Sequence, residues 1–277
     1  MSTRQPADPL VIAEKAARAG GAVLCDWQGR FQVTQKGPRD LVTEADFAAQ
    51  REIRRIVLEA FPDHGFVGEE GDAAGSVIPT GTPGHAGTGT RWIVDPLDGT
   101  SNYVHGFPAW CVSVALASGD DLVAGAIFDP VHDECFTAAH GRGAFLDGRP
   151  LRVPHVTDPP AAVAAVSFPP HVEANAQAVA DFLGVLPHVH TVRRTGSTAL
   201  NLAWLACGRL HAFWVRKIAC WDVAAGLLIV REAGAAVGRC TADATPGEAV
   251  PLDAPGLLAA SSPELFGAIR GMLHPRA

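Results

Sequence analysis

The most informative stretch of this chain is Trp92-Ile93-Val94-Asp95-Pro96-Leu97-Asp98-Gly99-Thr100-Ser101-Asn102. Its apolar start predicts a short buried strand, and a turn that carries two carboxylates follows directly. Pro96 restrains this turn, so Asp95 and Asp98 can face the same side. Gly99 has no side chain and would let a phosphate group come close to the backbone. Asp98-Gly99 on its own would be only a turn signal.

Other carboxylates also fall at the breaks between predicted elements. Glu69 and Glu70 precede residues 71–90, which are rich in Gly, Thr and Pro and which we interpret as a mobile loop. Asp46 and Asp222 lie at the starts of predicted helices, where each alone could be only a cap. Carboxylates that meet repel one another unless a cation lies between them, and such hard oxygen ligands suit Mg²⁺. Together these acids predict a magnesium site.

The composition is that of an ordinary globular protein. The chain has 277 residues, of which 48% are hydrophobic and 18% charged, with a net charge of −7. This balance excludes an intrinsically disordered chain and gives no electrostatic support for binding nucleic acid or an anionic membrane. The chain contains no apolar run of about 18 residues, so we predict no transmembrane helix. The six cysteines form no CxxC pair, and we expect reduced thiols and a cytoplasmic location.

The pattern of elements changes near residue 150, so we predict two parts, residues 1–150 and 151–277. The first part should hold two helices on an antiparallel sheet, and the second should alternate strands and helices in an α/β arrangement. Helices are predicted over residues 8–27, 43–61, 171–184, 197–207, 222–233 and 263–273. Strands are predicted over residues 92–94, 110–117, 122–128, 134–138, 163–168, 190–194, 210–215 and 257–260.

Taken together, the chain resembles the inositol monophosphatase family from about residue 8 to residue 272. The segments that carry the resemblance are Asp40-Leu41-Val42-Thr43-Glu44-Ala45-Asp46, Gly68-Glu69-Glu70, Trp92 to Asn102, and Trp221-Asp222-Val223-Ala224-Ala225-Gly226. The resemblance implies a layered αβαβα sandwich of mixed α+β and α/β character. It also implies Mg²⁺-dependent, Li⁺-sensitive hydrolysis of phosphate monoesters by a metal-activated water, with two or three Mg²⁺ ions per active site.

The resemblance further implies a role for each matching residue. The metal ligands would be Glu69, Asp95, the carbonyl of Leu97, Asp98 and Asp222. The catalytic residues would be Thr100, which orients the attacking water, Asp46, which accepts from the Thr100 hydroxyl, and Glu70, which holds water beyond the metal ligands. The substrate-binding residues would be Asp98, Gly99, Thr100, Gly196, Ser197, Thr198 and the residue at position 215. Lys36 matches a family position near the site.

Position 215 departs from the inositol-specific members of the family. These members have a glutamate seven residues before the last metal ligand, where it meets sugar hydroxyls, whereas this chain has Val215. Valine cannot accept a hydrogen bond from a polyol. Arg216 and Lys217 follow it and add positive charge, either for a second anionic group of the substrate or as a solvated end of a strand.

Several functions therefore stay open. Hydrolysis of inositol 1-phosphate is the leading expectation, and histidinol-phosphate phosphatase, sugar bisphosphatase and nucleotide 3′-phosphatase are the alternatives with the same chemistry. A different class is a binding partner of the transcription machinery, as some relatives are. We expect a small phosphorylated substrate, no nucleic-acid or membrane partner, and, by resemblance, a homodimer.

Overall fold

A computed structural model describes residues 7–37, 40–71, 89–169, 171–252 and 256–273 of the chain. Its helices are α1 (Pro9–Trp27), α2 (Glu44–Ala60), α3 (Thr100–Val104), α4 (Gln177–Val185), α5 (Thr198–Ala206), α6 (Cys220–Glu232) and α7 (Pro263–Met272). Its strands are β1 (Val33–Gly37), β2 (Asp40–Thr43), β3 (Gly65–Gly68), β4 (Thr90–Asp98), β5 (Cys111–Ser118), β6 (Asp121–Asp129), β7 (Glu134–Ala139), β8 (Gly143–Leu146), β9 (Arg149–Leu151), β10 (Val163–Val166), β11 (Thr191–Arg193), β12 (Ala212–Val215), β13 (Ala236–Arg239) and β14 (Leu257–Ala260).

The first half of the chain builds a seven-stranded sheet in the order β3-β4-β5-β6-β7-β8-β9. Neighbouring strands run antiparallel except β3 and β4, which run parallel. The prediction of an antiparallel sheet was therefore wrong for this one edge. A parallel pair needs a crossover of a dozen or more residues, and the long segment between Gly68 and Thr90 provides that length.

The second half builds a five-stranded sheet in the order β11-β10-β12-β14-β13. Strand β10 runs parallel to both of its neighbours, and β14 runs antiparallel to β12 and β13. The carboxyl ends of β10, β11 and β12 therefore meet at one edge of the sheet. Edges of this kind are where open α/β sheets bind their ligands.

The helices cover both sheets and produce the αβαβα sandwich that the resemblance implies. Helices α1 and α2 pack on one face of the seven-stranded sheet, α5 and α6 lie between the two sheets, and α4 and α7 cover the outer face of the five-stranded sheet. The period-2 alternation of strand side chains sends Trp92 and Val94 to the α1–α2 core and Ile93 to the middle layer. The boundary near residue 150 stays a prediction.

The predicted helix over residues 171–184 begins later than expected, at Gln177. The residues before it form a turn in which the amide of Ala176 donates to the carbonyl of Glu173. Ala176 itself has extended backbone angles, which no helix can run through. No helix within the described residues has the length and apolar character needed to cross a membrane.

Candidate active site

Two carboxylates at the end of β4 lie on the same face of the sheet because the strand bulges between them. Asp95 pairs with Ser113, but Asp98 pairs with Cys111, so three steps along β4 match only two along β5. In a regular strand, residues three apart point to opposite faces. The extra residue at Pro96-Leu97 reverses the alternation, and the two acids come to face the middle layer together.

The third carboxylate comes from the other half of the chain. Asp222 lies in the first turn of α6, where its Oδ2 accepts a hydrogen bond from the amide of Ala219 at 3.3 Å. Carboxylate oxygens of Asp95, Asp98 and Asp222 all lie within 4.8 Å of one another. Asp95 is 1% exposed and Asp98 is 8% exposed. Within the part of the chain that the structure describes, no Lys, Arg or His forms an ion pair with these three acids.

This cluster has the chemistry of a divalent-cation site. Burial raises the pKa of Asp95 and of Asp222 well above the ordinary value, and the charges of the neighbouring acids raise both further. Burial also raises the pKa of Asp98 to about 6, although hydrogen bonds from Ser197 and the start of α5 act in the other direction. Buried carboxylates without a cationic partner are costly, and hard oxygen donors fit Mg²⁺.

The start of α5 holds Asp98 in place. The Ser197 hydroxyl and the Ala199 amide each donate to Oδ2 of Asp98 at 2.6 Å. Ser197 also caps the helix, since its Oγ accepts from the Leu200 amide at 3.3 Å. The positive end of a helix attracts anions, and here the anion is a carboxylate of the protein itself.

The side chains of Ser197 and Thr198 have partners within the protein, and substrate binding at Gly196, Ser197 and Thr198 stays a prediction. Ser197 is fully buried, and the Thr198 hydroxyl shares a hydrogen bond of 2.9 Å with that of Ser167. Gly196 packs against the side chain of Asn102. The Asn102 amide donates to the carbonyl of Thr195 at 2.8 Å, so it joins this loop to the turn after β4. The sequence contained no sign of that contact.

Thr100 and Asp46 meet as the resemblance implies. The Thr100 hydroxyl lies 3.3 Å from Oδ1 of Asp46 and 3.0 Å from the carbonyl of Leu97. The other oxygen of Asp46 accepts from the amide and the hydroxyl of Thr43, at 2.9 and 2.6 Å, which completes the predicted capping box of α2. Burial raises the pKa of Asp46 to about 6, against these hydrogen bonds. A single hydroxyl proton serves only one acceptor at a time.

Glu69 and Glu70 share the ammonium group of Lys36. The Lys36 Nζ lies 3.2 Å from Oε1 of Glu69 and 2.5 Å from Oε1 of Glu70. Burial lowers the pKa of Lys36, but the two glutamates outweigh it and raise that pKa overall. The backbone amide of Glu70 donates to Oε1 of Gln50 at 3.0 Å, which fixes the backbone of Glu70. The pattern singled out Lys36 and both glutamates but gave no signal for Gln50, which is one polar residue on a helix face.

Gly99 takes a backbone conformation that suits only glycine. Its φ is +98°, and a Cβ atom there would lie 2.9 Å from the carbonyl oxygen of Ala109. Thr100 follows directly as the first residue of α3. That the amides of Gly99 and Thr100 hold phosphate stays a prediction.

The structure corrects two expectations about the end of β12. Val215 is 1% exposed and packs in the core between the sheets, so it offers no surface to a substrate. Arg216 forms an ion pair with the buried carboxylate of Asp181, with Nη2 and Oδ1 2.8 Å apart, and donates to the carbonyl of Cys240. Arg216 therefore ties α4 to the sheet. Most of the loop over residues 71–90, interpreted as mobile, lies outside the described residues.

Comparison with known proteins agrees with this geometry. The sequence pattern of the "Inositol monophosphatase family" matches residues 7–274. The chain is 41% identical over 227 residues to "Inositol-1-monophosphatase" of Rhizobium meliloti, covering 81% of this chain and 82% of that protein. It is 39% identical over 235 residues to "Nus factor SuhB" of Xylella fastidiosa, covering 83% and 81%.

A solved structure of extragenic suppressor protein suhB from Bartonella henselae superposes with a TM-score of 0.84 at 34% identity, over 95% of this chain and 97% of that one. The similarity thus extends over nearly the whole chain. The chain therefore belongs to the inositol monophosphatase family, a metal-dependent family of phosphoric monoester hydrolases.

Proposed function

We propose that this protein is a Mg²⁺-dependent, Li⁺-sensitive hydrolase of a small phosphate monoester, with inositol 1-phosphate as the leading substrate. The observation that carries the proposal is the buried cluster of Asp95, Asp98 and Asp222, whose carboxylate oxygens lie within 4.8 Å of one another. Two or three Mg²⁺ ions would be held by these acids together with Glu69 and the carbonyl of Leu97. Bound Mg²⁺ would neutralise the phosphate dianion and lower the pKa of water at the site.

The protein groups then orient the reaction. Water attacks phosphorus as the bond from phosphorus to the leaving oxygen breaks, and one proton ends on that oxygen, which gives an alcohol and inorganic phosphate. The Thr100 hydroxyl donates a hydrogen bond to Asp46 or to the Leu97 carbonyl and keeps its proton. Its oxygen lone pairs are then available to accept from the attacking water and fix its direction. The donors at the start of α5 hold Asp98 in one orientation before substrate arrives.

The first experiment measures phosphate release at saturating Mg²⁺ from inositol 1-phosphate, histidinol phosphate, fructose 1,6-bisphosphate and adenosine 3′,5′-bisphosphate, each with and without Li⁺. We expect release that needs Mg²⁺ and is inhibited by Li⁺. Asp98→Asn should lower kcat by about a thousandfold or more, because an amide is a poor ligand for Mg²⁺. Asp129→Asn is the matched control, since Asp129 is also buried but its carboxylate accepts from the amides of Val131 and His132 and does not belong to the acidic cluster. Near-normal turnover of Asp98→Asn would contradict the proposal.

The choice of inositol 1-phosphate is supported by the Rhizobium meliloti relative, whose name specifies that activity. Val215 argues against inositol 1-phosphate as the substrate, because this buried apolar side chain replaces the glutamate expected in inositol-specific members. Histidinol phosphate, a sugar bisphosphate and a nucleotide 3′-phosphate therefore remain the alternatives that the same panel tests.

A second candidate function is a role as a partner of the transcription machinery. It is favoured by the relative from Xylella fastidiosa, which is named a Nus factor. The Asp98→Asn variant separates the two functions in a strain that lacks the native gene. Full complementation by this inactive variant would favour the binding role, and failure would favour catalysis.

We also propose a homodimer in the cytoplasm, with Mg²⁺ as the physiological ion. The family resemblance supports the dimer, and six cysteines without a CxxC pair support a reducing compartment. Light scattering of the purified protein tests the dimer, and fractionation of cells tests the location.

A further inference from the structure

A cavity of about 580 Å³ opens at the carboxyl ends of β10 and β12. One wall is formed by Pro169 and by residues between His171 and Ala178, and the other by Arg216 and Lys217, the two residues that follow β12. The two strands are parallel neighbours, so both segments leave the same edge of the sheet. This is the edge where parallel sheets bind ligands.

The chain segments that form the two walls of the cavity lie close in sequence to residues that contact the acidic cluster. On one side, Ser167 at the end of β10 contacts Thr198, and the next amide, that of Ala199, holds Asp98. On the other side, Lys217 is two residues before Ala219, whose amide donates to Asp222. The segments that line the cavity are therefore continuous in the chain with residues that hold Asp98 and Asp222.

Lys217 is the cationic side chain that this cavity offers to a ligand. Arg216 also lines the cavity, but it is committed to Asp181 and to the carbonyl of Cys240. Lys217 is exposed, and within the described residues no carboxylate lies within ion-pair distance of it. His171 and Asn175 add polar atoms to the wall, and Glu173 is its one acidic residue.

We propose that Lys217 binds an anionic group on the leaving-group part of the substrate, so that the preferred substrate is a phosphate monoester with a second phosphate or a carboxylate. The inference rests on the proposed phosphatase function and specifies its substrate class. A neutral polyol gains little here, because Val215 is buried and apolar where a hydroxyl-binding acceptor was expected. An ammonium group in a partly enclosed cavity favours an anion instead.

The test uses pairs of esters that differ by one anionic group. 3-Phosphoglycerate is compared with glycerol 3-phosphate, which probes a carboxylate, and fructose 1,6-bisphosphate with fructose 1-phosphate, which probes a phosphate. We expect the wild-type protein to have the higher kcat/KM for the anionic member of at least one pair. Lys217→Met should reduce that preference about tenfold, mainly through KM, as loss of one charge-assisted contact requires. Glu173→Gln should increase it.

Lys15→Met is the matched control, because Lys15 is an exposed lysine on α1, in the layer farthest from the cavity. It should leave the preference as in wild type. Equal kcat/KM for the two members of both pairs, or a preference that Lys217→Met leaves intact, would overturn the proposal while leaving the phosphatase function standing. If no ester is hydrolysed, the phosphatase function fails, and calorimetric titration of the same esters with Mg²⁺ decides. Lys217-dependent binding of the anionic members would support the proposal, and equal or absent binding would overturn it.

Discussion

At the scale of single residues, the position of one oxygen atom organises the site. Oδ2 of Asp98 accepts two hydrogen bonds of 2.6 Å from the start of α5, so a cation would bind chiefly through Oδ1. Cys111 lies against the same group, with its thiol 3.9 Å from Oδ2 and 3.7 Å from the Ser197 hydroxyl. Burial, together with the charge of Asp98, keeps the pKa of the Cys111 thiol well above its usual value, so the thiol is neutral beside the carboxylate.

We expect Ser197→Ala to weaken Mg²⁺ binding about tenfold, because side chains that hold a metal ligand typically contribute this much to affinity. Ser197→Thr should keep the hydroxyl and most of the affinity. Ser262→Ala is the matched control, since Ser262 caps α7 in the same way, by accepting from Leu265, but lies away from the cluster. Both alanine variants should lose about 1 kcal/mol of stability as helix-cap mutants. Thermal unfolding at increasing Mg²⁺ concentrations measures both effects. If Ser197→Ala and Ser262→Ala bound Mg²⁺ equally well, Ser197 would not be holding a metal ligand.

Thr100 gives a second residue-scale prediction. Thr100→Val keeps the shape of the side chain but removes the hydroxyl that Asp46 and the Leu97 carbonyl accept from. We expect kcat to fall about a hundredfold, which is typical of losing a group that positions a proton-transferring water. Thr100→Ser should restore most of it. Mg²⁺ affinity should be unchanged, and a loss of affinity with unchanged kcat at saturating Mg²⁺ would show a purely structural role.

At the scale of elements, the turn between β4 and α3 determines where the carboxylates at the end of β4 lie. The bulge at Pro96-Leu97 places Asp95 and Asp98 on one face, and Gly99 then reverses the chain so that α3 can begin at Thr100. The turn packs on the backbone of Ala109 and Trp110, which leaves no room for a Cβ atom. The element is therefore sensitive to substitution in a way that an open turn is not.

Gly99→Ala should lower the free energy of unfolding by about 3 kcal/mol, from the left-handed conformation and the backbone clash together. Gly119→Ala is the control, because Gly119 has a φ of +60° with no atom within 4 Å of the added Cβ. This second variant should lose about 1 kcal/mol, the conformational cost alone. Urea unfolding measures the difference, and equal losses would show that the close approach to Ala109 carries no energy.

At the scale of the whole molecule, the acidic cluster joins the two halves of the chain and links stability to pH. Asp95 and Asp98 come from the seven-stranded sheet, whereas Asp222 comes from the second half, on α6, which packs on the same sheet. Their folded pKa values are raised, that of Asp98 to about 6, so the folded protein binds more protons than the unfolded chain does. Without metal, stability should therefore fall as the pH rises from about 4 through 6.

Mg²⁺ should reverse this trend, because a cation replaces the protons and offsets the repulsion between the carboxylates. We expect the rise in Tm produced by 10 mM Mg²⁺ to be larger at pH 7.5 than at pH 5.0 by about 3 °C or more. Differential scanning calorimetry with and without Mg²⁺ measures it. In the Asp98→Asn variant, the rise in Tm produced by Mg²⁺ should differ less between pH 7.5 and pH 5.0. An effect of Mg²⁺ that is equal at both, or larger at pH 5.0, would argue against binding at these acids.

The sequence by itself determined most helices and strands and singled out the acids of the candidate site, whereas the layers of the sandwich were implied by the family resemblance. Apolar periodicity predicted most helices and strands, since it records which face of an element is buried. The acids stood out because carboxylates that follow a buried strand have few structural reasons to be there, and the motif around Asp95 and Asp98 matched a family. These patterns are local, so a single chain segment contains them.

The tertiary structure alone decided which groups meet. Three features join segments that are apart in the chain. Strand β3 pairs in parallel with β4, and β4 bulges against β5 so that Asp95 and Asp98 share a face. The Ser197 hydroxyl donates to Asp98. The surroundings of Val215 and Arg216 also could not be predicted from the sequence. Val215 packs in the core between the sheets and Arg216 pairs with Asp181, and both contacts depend on how distant segments pack. Local sequence specifies the conformation of a segment and its buried face, but contacts between distant segments depend on how the whole chain packs, which is the physical reason for the division.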